Sequence, residues 1–524
     1  MLSPATVTFS SENKLRPMDS ALNRIATVFP ITPEAVKPDP KMRNTGPIIK
    51  EFSLNTSMHG IPGIARSESI QNRLFWTISF IIFTGIMCYF IIEAILAYFQ
   101  YPTQTSVDFV AQWPQPFPAV TVCNYSPLHF DQFIQPYLNY TNSLNLTNTT
   151  DTTKFTRNQG AYIIDFLRAK LNRNESLNDL YFSLESMLVK CIYNGINCTA
   201  ADFVRFQLPL YGYCYTFNAL AHYINNGELH YNNENGKSGV LELGLYTHSH
   251  QYVPYLTDGV GIVTMVHNNK QMPLIDRVNT FLVPGRKYKF GYSKKTYTLL
   301  PTPYTTCSDT SSPGLQALYD QYTGIQYDYS QELCFKVAIQ TYTYEQCGCV
   351  SPYEWSARYI VLPGTTNVIY AQLCNVSDAC YSKAADAFRS SDSIIGQYAG
   401  DCGLECTSNE FVVKTSSVAS PTPWYMTDVK NFVESTTIPL SKNWSQTWFA
   451  DIEHNYVGLD VVCESTRVEV YTQQASMSAV DVISNVGGQT GLWIGISFLS
   501  LLEIAEMIYR LIRRRCQRVR RLFS

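Results

Sequence analysis

Charge is scarce in this chain. Only 15% of its 524 residues are Asp, Glu, Lys or Arg, against about a quarter in an ordinary soluble protein. Neither sign dominates: 39 basic and 42 acidic residues leave a formal charge of −3. No overall field exists to gather phosphates, which excludes a nucleic-acid binder. No self-similarity at periods of roughly 20–50 residues is visible, so solenoids and propellers fall away. A phosphate-binding glycine loop, a nucleophile elbow and a paired-carboxylate motif are also lacking, and nothing indicates an enzyme or a cofactor. Cysteine and aromatics are plentiful, with 15 Cys, 36 Tyr and 27 Phe in a chain that is 45% apolar. That composition rules out disorder and allows roughly three ordinary domains.

Two apolar runs set the topology. Leu74 to Phe99 holds 26 residues with Glu93 as its one ionisable side chain, long enough at about 1.5 Å per residue to cross a hydrocarbon core of about 30 Å. A signal peptide would be shorter, nearer the start and followed by a small-residue cleavage pattern. The second run, Gly487 to Ile512, lies close to the end. Buried core helices are the alternative for both, but two such runs at opposite ends favour membrane spans. Arg66 and Arg73 precede the first run, and Arg510, Arg513, Arg514, Arg515, Arg518, Arg520 and Arg521 close the second. Basic flanks mark cytoplasmic ends, so both termini are expected inside. The sequence therefore divides into a cytoplasmic N-terminus (1–73), a first span (74–99), an extracellular domain (100–476), a second span (477–512) and a basic cytoplasmic tail (513–524).

Two independent signals agree with this division. Cys88 and Cys516 lie outside the extracellular stretch and the other thirteen cysteines lie in it, where oxidising conditions favour disulfides. Seven glycosylation sequons also fall there, at Asn139, Asn145, Asn148, Asn174, Asn197, Asn375 and Asn443. An eighth, Asn124, is compromised by Pro127 after its acceptor serine, and Asn55 falls on the inner side. Alternating runs predict strands at 119–123, 240–245, 261–267 and 457–471. Helical spacing predicts helices near 160–171 and 177–190, which makes the segment from Cys123 to Cys214 mostly helical. Eight cysteines between 307 and 406 read as a stapled helical lobe. The expected class is a membrane protein with two transmembrane helices and a large, disulfide-rich α+β ectodomain.

Metal and redox chemistry are weakly signalled. His248, His250 and His267 offer an HxH pair without a third ligand at a telling spacing, and strand or surface histidines are the better reading. Cys347 and Cys349 flank one glycine; in so cysteine-dense a setting two separate disulfides outweigh a metal or redox pair. The polar groups of the second run are more informative. Glu503 and Glu506 share a helical face, and carboxylates within a bilayer normally face a partner or water. Gly487, Gly488, Gly491 and Gly495, with Ser497 and Ser500, form a small-residue seam fit for close helix contact. One helix cannot enclose water, so a pore requires an oligomer. Glycine and serine at its constriction would offer carbonyls and hydroxyls to a dehydrating cation.

These residues carry a resemblance. GGQTGLWIGIS followed by Glu503, His59-Gly60 before the first span, FPAVTVCN at 117–124, and Val283-Pro284-Gly285 through Tyr297, Leu300, Pro301 and Pro303 to Cys307 resemble, in order, motifs of the degenerin/epithelial sodium channel family. The resemblance implies a homotrimer or heterotrimer in the plasma membrane, passing Na+ and blocked by amiloride, with each hand-like ectodomain made of palm, finger, thumb and knuckle. It implies the disulfides Cys123–Cys214, Cys191–Cys198, Cys307–Cys406, Cys334–Cys402, Cys347–Cys380 and Cys349–Cys374. A seventh bridge of acid-sensing members falls on Ala338 and Gly400, so both partners are missing together, and Cys463 is left as a buried thiol. Gly495, Ile496 and Ser497 match the family's selectivity belt, with Ile in place of Ala. Glu503, with Glu506 nearby, matches the inner pore acids. His59 and Gly60 match a gating dipeptide, Asp481 a position where bulk holds channels open, and Tyr101 and Tyr304 the aromatic contact from thumb to first span.

The stimulus is read from departures. Acid-sensing relatives carry an Asp-Glu pair where this chain has His250-Gln251, and often a His pair where it has Pro102-Thr103. With Asp481 and the Gly-Ile-Ser triplet, the chain looks most like invertebrate FMRFamide-gated sodium channels. An amidated neuropeptide of that kind carries positive charge and phenylalanines, so its pocket should offer carboxylates and aromatic walls. Finger candidates are Phe130, Asp131, Phe133, Asp179, Glu185 and Asp202. Rival readings are a proton-gated, bile-acid-gated or mechanically gated member of the family, an ATP-gated trimer, and a two-span glycoprotein that passes no current.

Overall fold

The computed structural model describes residues 46–232 and 239–522. They form two compact units, one made of residues up to 96 and from 479 onward, the other of residues 97–478.

The first unit is helical. Short helices Gly46–Asn55 and Ile61–Arg66 precede a 30-residue helix, Ile70–Phe99. This last is long and apolar enough to cross a membrane. Its side chains point outward almost throughout, Met87 alone being buried, as expected of a helix solvated by lipid rather than by a protein core. The second apolar run is not one straight helix. It consists of Ala479–Ile494 and Phe498–Leu522, bent by 72° at the break between them. The lower helix continues through the basic residues to Leu522, past the expected end of the span at 512.

The second unit is built on two antiparallel-dominated sheets. The larger has eight strands among the described residues. At its centre, Arg286–Thr298 pairs along its whole length with Thr407–Ala419. Its other edge is shared in succession by Tyr456–Cys463 and Arg467–Ala475, both parallel to it. The sequence reads 457–471 as one strand; the structure breaks it. Cys463 faces Tyr292 and Glu469 faces Lys295, so six steps on one strand answer three on the other. The extra residues loop out at 464–466, and Glu464 there reaches Lys414 at 2.8 Å. Outward from this centre lie Leu241–Tyr246, Leu188–Tyr193 and Ile196–Asn197 on one side and Thr103–Ala111 on the other. The five-stranded sheet runs Thr280–Leu282, Ile262–His267, Ala119–Asn124, Gly212–Phe217 and Phe203–Leu208. Ala119–Asn124 is buried on both faces, and every residue of it is inaccessible.

Two helical expectations need correction. Residues 177–190 do not form a helix: a 3-10 turn at Asn178–Leu180 and a single turn at Leu184–Met187 lead into the strand Leu188–Tyr193. The apolar spacing there imitates a helical period, but Ser183 caps a new turn and the short Cys191–Cys198 bridge folds the following residues into a hairpin paired with Leu241–Leu245. Tertiary pairing overrides local spacing. Consequently the segment from Cys123 to Cys214 is helical only to about residue 187. Its helices Phe130–Ser143 and Ile163–Asn172 pack Phe133, Tyr137 and Phe166 into the main core.

Between 307 and 406 the helices Pro313–Tyr319, Gln331–Cys347, Cys380–Ser390 and Asp392–Tyr398 form a lobe with its own apolar centre around Leu315, Val337 and Phe388. Six disulfides close the unit: Cys123–Cys214, Cys191–Cys198, Cys307–Cys406, Cys334–Cys402, Cys347–Cys380 and Cys349–Cys374. They are the pairs implied by the resemblance. Bridges spanning long loops contribute about 2–4 kcal/mol each. Ala338 is buried in the lobe, and Cys463 is a buried thiol whose Sγ lies 3.4 Å from Gln115 Oε1.

His248 and His267 are structural. His267 is buried, with Nε2 2.7 Å from Thr121 Oγ1 and Nδ1 2.9 Å from the Asn268 carbonyl. His248 is buried in a left-handed conformation, its Nε2 2.8 Å from the Ser186 carbonyl. Burial holds His248 down to about 3 and His267 down to about 4. Among the described residues no group of three or more His, Cys, Asp or Glu is placed to hold a metal.

Candidate functional site

The break in the second apolar segment is written into three residues. Gly495 ends the helix Ala479–Ile494 with φ +70°, a left-handed turn that suits glycine because it has no Cβ. Its amide still bonds to the Gly491 carbonyl at 3.2 Å, and that of Ile496 to Thr490 at 3.1 Å. Ser497 then caps the next helix: its Oγ accepts from the Ser500 amide at 3.3 Å, while the Ser497 amide donates to Ser500 Oγ at 3.1 Å. Ser500 is fully buried and also lies 3.3 Å from the Gly495 carbonyl. Within four residues the chain thus leaves one helix, turns and starts another with its polar groups paired.

The segment before the first long helix braces this break. The His59 amide donates to the Ile494 carbonyl at 2.8 Å. The imidazole of His59 fills the space beside Gly495, where an added Cβ would sit 2.8 Å from the ring. Ser57 Oγ lies 2.6 Å from Ser500 Oγ. Gly60, at φ +86°, starts the next helix against Phe80.

The two expected pore acids are not free carboxylates in a row. Glu503 Oε2 accepts from Thr56 Oγ1 at 2.9 Å and from the Ser57 amide at 3.0 Å, tying the lower helix to the N-terminal segment. Glu506 pairs with Arg510 at 2.5 Å, and Arg510 also reaches Glu51 at 3.3 Å. Sequence reasoning missed Thr56, Ser57 and Ser500 as partners. The Ser-x-x-Ser spacing of 497 and 500 is a capping signal that could have exposed the last of these; nothing local links Thr56 to Glu503. Asp481 lies exposed in the first turn of Ala479–Ile494. In the second unit Tyr101, at φ +49°, meets Tyr304 edge to face with ring centroids 5.5 Å apart.

The finger candidates sit on four different elements. Phe133 is wholly buried, stacked on Tyr137 at 4.8 Å and packed on Phe155 and Phe166, so it is a core side chain and not the wall of an open pocket. Phe130 is half-buried beside Phe155. Asp131 is exposed, its amide bonded to Gln251 Oε1 at 3.1 Å and its carboxylate to Gln132. Asp179 and Glu185 are exposed on separate short turns. The Asp202 carboxylate is occupied as a cap, accepting from the Thr199 amide at 2.7 Å. Among the described residues, no hydrogen bond links these four acids to one another.

His250 and Gln251 do bonding work of their own. His250 Nε2 lies 2.7 Å from the Pro439 carbonyl, and Gln251 holds the start of the helix Phe130–Ser143. All seven intact sequon asparagines are exposed, whereas Asn124 is buried and donates to the Thr247 carbonyl at 2.9 Å.

Residues 52–507 match the family model described as amiloride-sensitive sodium channel. The chain belongs to that family. Its relatives include acid-sensing ion channel 1C of Danio rerio, 25% identical over 484 residues that cover 89% of this chain and 84% of the relative. Acid-sensing ion channel 1 of Gallus gallus is 26% identical over 492 residues, covering 90% and 85%. Epithelial sodium channel subunit gamma-2 of Xenopus laevis is 26% identical over 333 residues, covering 63% of this chain and 46% of its own. These relatives are ion channels rather than enzymes. The family match spans the helix break, its N-terminal brace and the disulfide-rich unit together.

Proposed function

We propose that this chain is one subunit of a trimeric, amiloride-sensitive sodium channel of the plasma membrane, opened from outside by an amidated neuropeptide related to FMRFamide. Both termini lie in the cytoplasm, residues 100–476 face outward with glycans on the seven exposed asparagines, and the lipid-facing first span surrounds three copies of the second. The observation that carries the channel reading is the helix break at Gly495, Ile496 and Ser497 with Gly487, Gly488 and Gly491 above it. An added Cβ at any of those three glycines would meet no atom within 4 Å, so that helix face is clear for close approach around a shared axis. Gathered there, three breaks bring carbonyls and hydroxyls to a ring where a cation sheds water.

Peptide gating rests on residues rather than on the relatives, whose names refer to acid or to epithelium. Neutral His250 and Gln251, both bonded within the fold, stand where an acid pair would titrate. A peptide then favours the open state by binding it more tightly than the closed one, and Tyr101 with Tyr304 passes the change toward the first span. A proton-gated channel is the second reading, favoured by the similarity to acid-sensing relatives. Voltage-clamped oocytes expressing the chain, given amidated neuropeptides at neutral pH and acid without peptide, separate the two. Peptide-evoked, amiloride-blocked sodium current is the expected result; current evoked by acid and by no peptide overturns the peptide reading.

A further inference from the structure

A cavity of about 340 Å³ lies in the second unit between the strand Phe203–Leu208 and the segment that follows Val350. Two guanidiniums line it, and neither makes an ion pair among the described residues. Arg205 projects exposed from its strand and lies 4.5 Å from the centre of the Tyr213 ring. Arg358 is 2% exposed, one of the largest fully buried side chains in the protein. Its Nε donates to the Ala371 carbonyl at 2.8 Å, Nη1 to the Leu171 carbonyl at 3.3 Å and Nη2 to Asn172 Oδ1 at 3.3 Å, over the Tyr370 ring at 4.0 Å. An arginine carries five N–H donors, so these three bonds do not exhaust it.

A buried cation is ordinarily matched by an anion, because desolvation of a lone charge is costly. Carbonyl dipoles and one ring face are what Arg358 has instead. Asp179 and Glu185 act at a distance on the neighbouring Tyr213 and Tyr215 and do not pair with either arginine. Trp355 and Tyr322 add aromatic wall to the same cavity.

We infer that this cavity is a binding site for a small aromatic carboxylate, its carboxylate held between Arg205 and Arg358 and its ring against Trp355 and the tyrosines. Guanidinium forks match carboxylates in two-point geometry, and Trp355 and Tyr322 in the lining suit a planar apolar body. The volume exceeds what a halide would fill. The site stands whether or not a peptide opens the channel.

Benzoate is the probe, with benzamide as its neutral isostere and chloride as the bare anion, each added at constant ionic strength to the full-length detergent-solubilised protein. Thermal midpoint and saturation-transfer NMR give the readouts. Benzoate should raise the midpoint and receive saturation, while benzamide and chloride do neither. Arg205→Gln, exposed and unpaired, should fold normally and weaken benzoate about tenfold or more, as expected for loss of a charge-assisted contact. Arg358→Lys, which keeps the charge and loses the fork, should also weaken it. Equal effects of benzoate and benzamide, protection by chloride that benzoate does not add to, or unchanged benzoate affinity in Arg205→Gln would each overturn the inference.

Discussion

Acid should loosen the disulfide-rich unit by charging histidines that the fold keeps neutral. His267 is the best-defined case. Its Nδ1 must donate to the Asn268 carbonyl, so Nε2 is the lone pair that accepts from Thr121 Oγ1. Burial, opposed only in part by the Asn268 bond, brings the group down to about 4 from the ordinary 6.5. Between those two values the unfolded chain binds a proton that the folded chain refuses, so stability falls as pH falls. It is complete above pH 6.5 and declines by about 1.4 kcal/mol per pH unit, reaching a loss of about 3 kcal/mol near pH 4. His248, brought down to about 3 with an Nδ1 that has no hydrogen-bond partner among the described residues, adds a second slope of the same sign. Unfolding midpoints of the purified protein, measured from pH 7.5 to 4.5, should drop with decreasing pH. His267→Gln keeps a donor and an acceptor without a titrating ring, and should remove about one proton's worth of that slope. A midpoint flat from pH 7 to 5, or a variant as steep as the parent, refutes the assignment.

Other perturbations test other parts of the account. Gly495→Ala forces a Cβ into a left-handed residue, costing about 1–2 kcal/mol, and meets the His59 ring; His59→Ala in the same chain should recover the steric part alone, as read by size-exclusion thermal melts. Independent, additive effects of the two changes would show that the ring does not pack there. Phe133→Ala should cost about 3–5 kcal/mol as a core cavity, whereas Asp131→Asn should leave melting unchanged; a fully stable Phe133→Ala would restore that ring to a binding role. Lys336 sits between Asp276 at 3.1 Å and Glu354 at 2.9 Å with a side chain only 10% exposed. Lys336→Met should cost about 2–3 kcal/mol, below the fully buried range because Glu354 reaches solvent, and a neutral effect in the melt would count against a strong triad.

What could be read from sequence followed from how local each signal is. The long helix Ile70–Phe99 and the strands at 119–124, 241–246 and 262–267 are periodic stretches whose burial is decided by their own residues. The break at 495–497 was not legible from its residues, because glycine and serine in an apolar run serve equally well as a seam for close helix packing; only the family resemblance singled out Gly495, Ile496 and Ser497. The 177–190 segment misled because its apolar spacing serves a core under two short turns, and its last residues answer to a partner strand some fifty residues away. Glu503 misled for a similar reason: its hydrogen-bond partners lie 447 and 446 residues distant. Phe133 and the finger acids could not be sorted by type, since an aromatic in a core and one in a pocket look alike until burial is known. Arg358 gave no sequence signal at all, as the groups that hold it come from two stretches distant in sequence, 171–172 and 370–371.

The central claim is that Gly495, Ile496 and Ser497 are where a sodium ion loses water. Its most direct measurement is the reversal potential of the open channel in sodium and then potassium solutions, for the parent and for Ser497 replaced by a bulkier polar residue such as Gln. The parent should prefer sodium, and the variant should lose that preference while still reaching the surface. Undiminished sodium preference in Ser497→Gln would place the filter elsewhere.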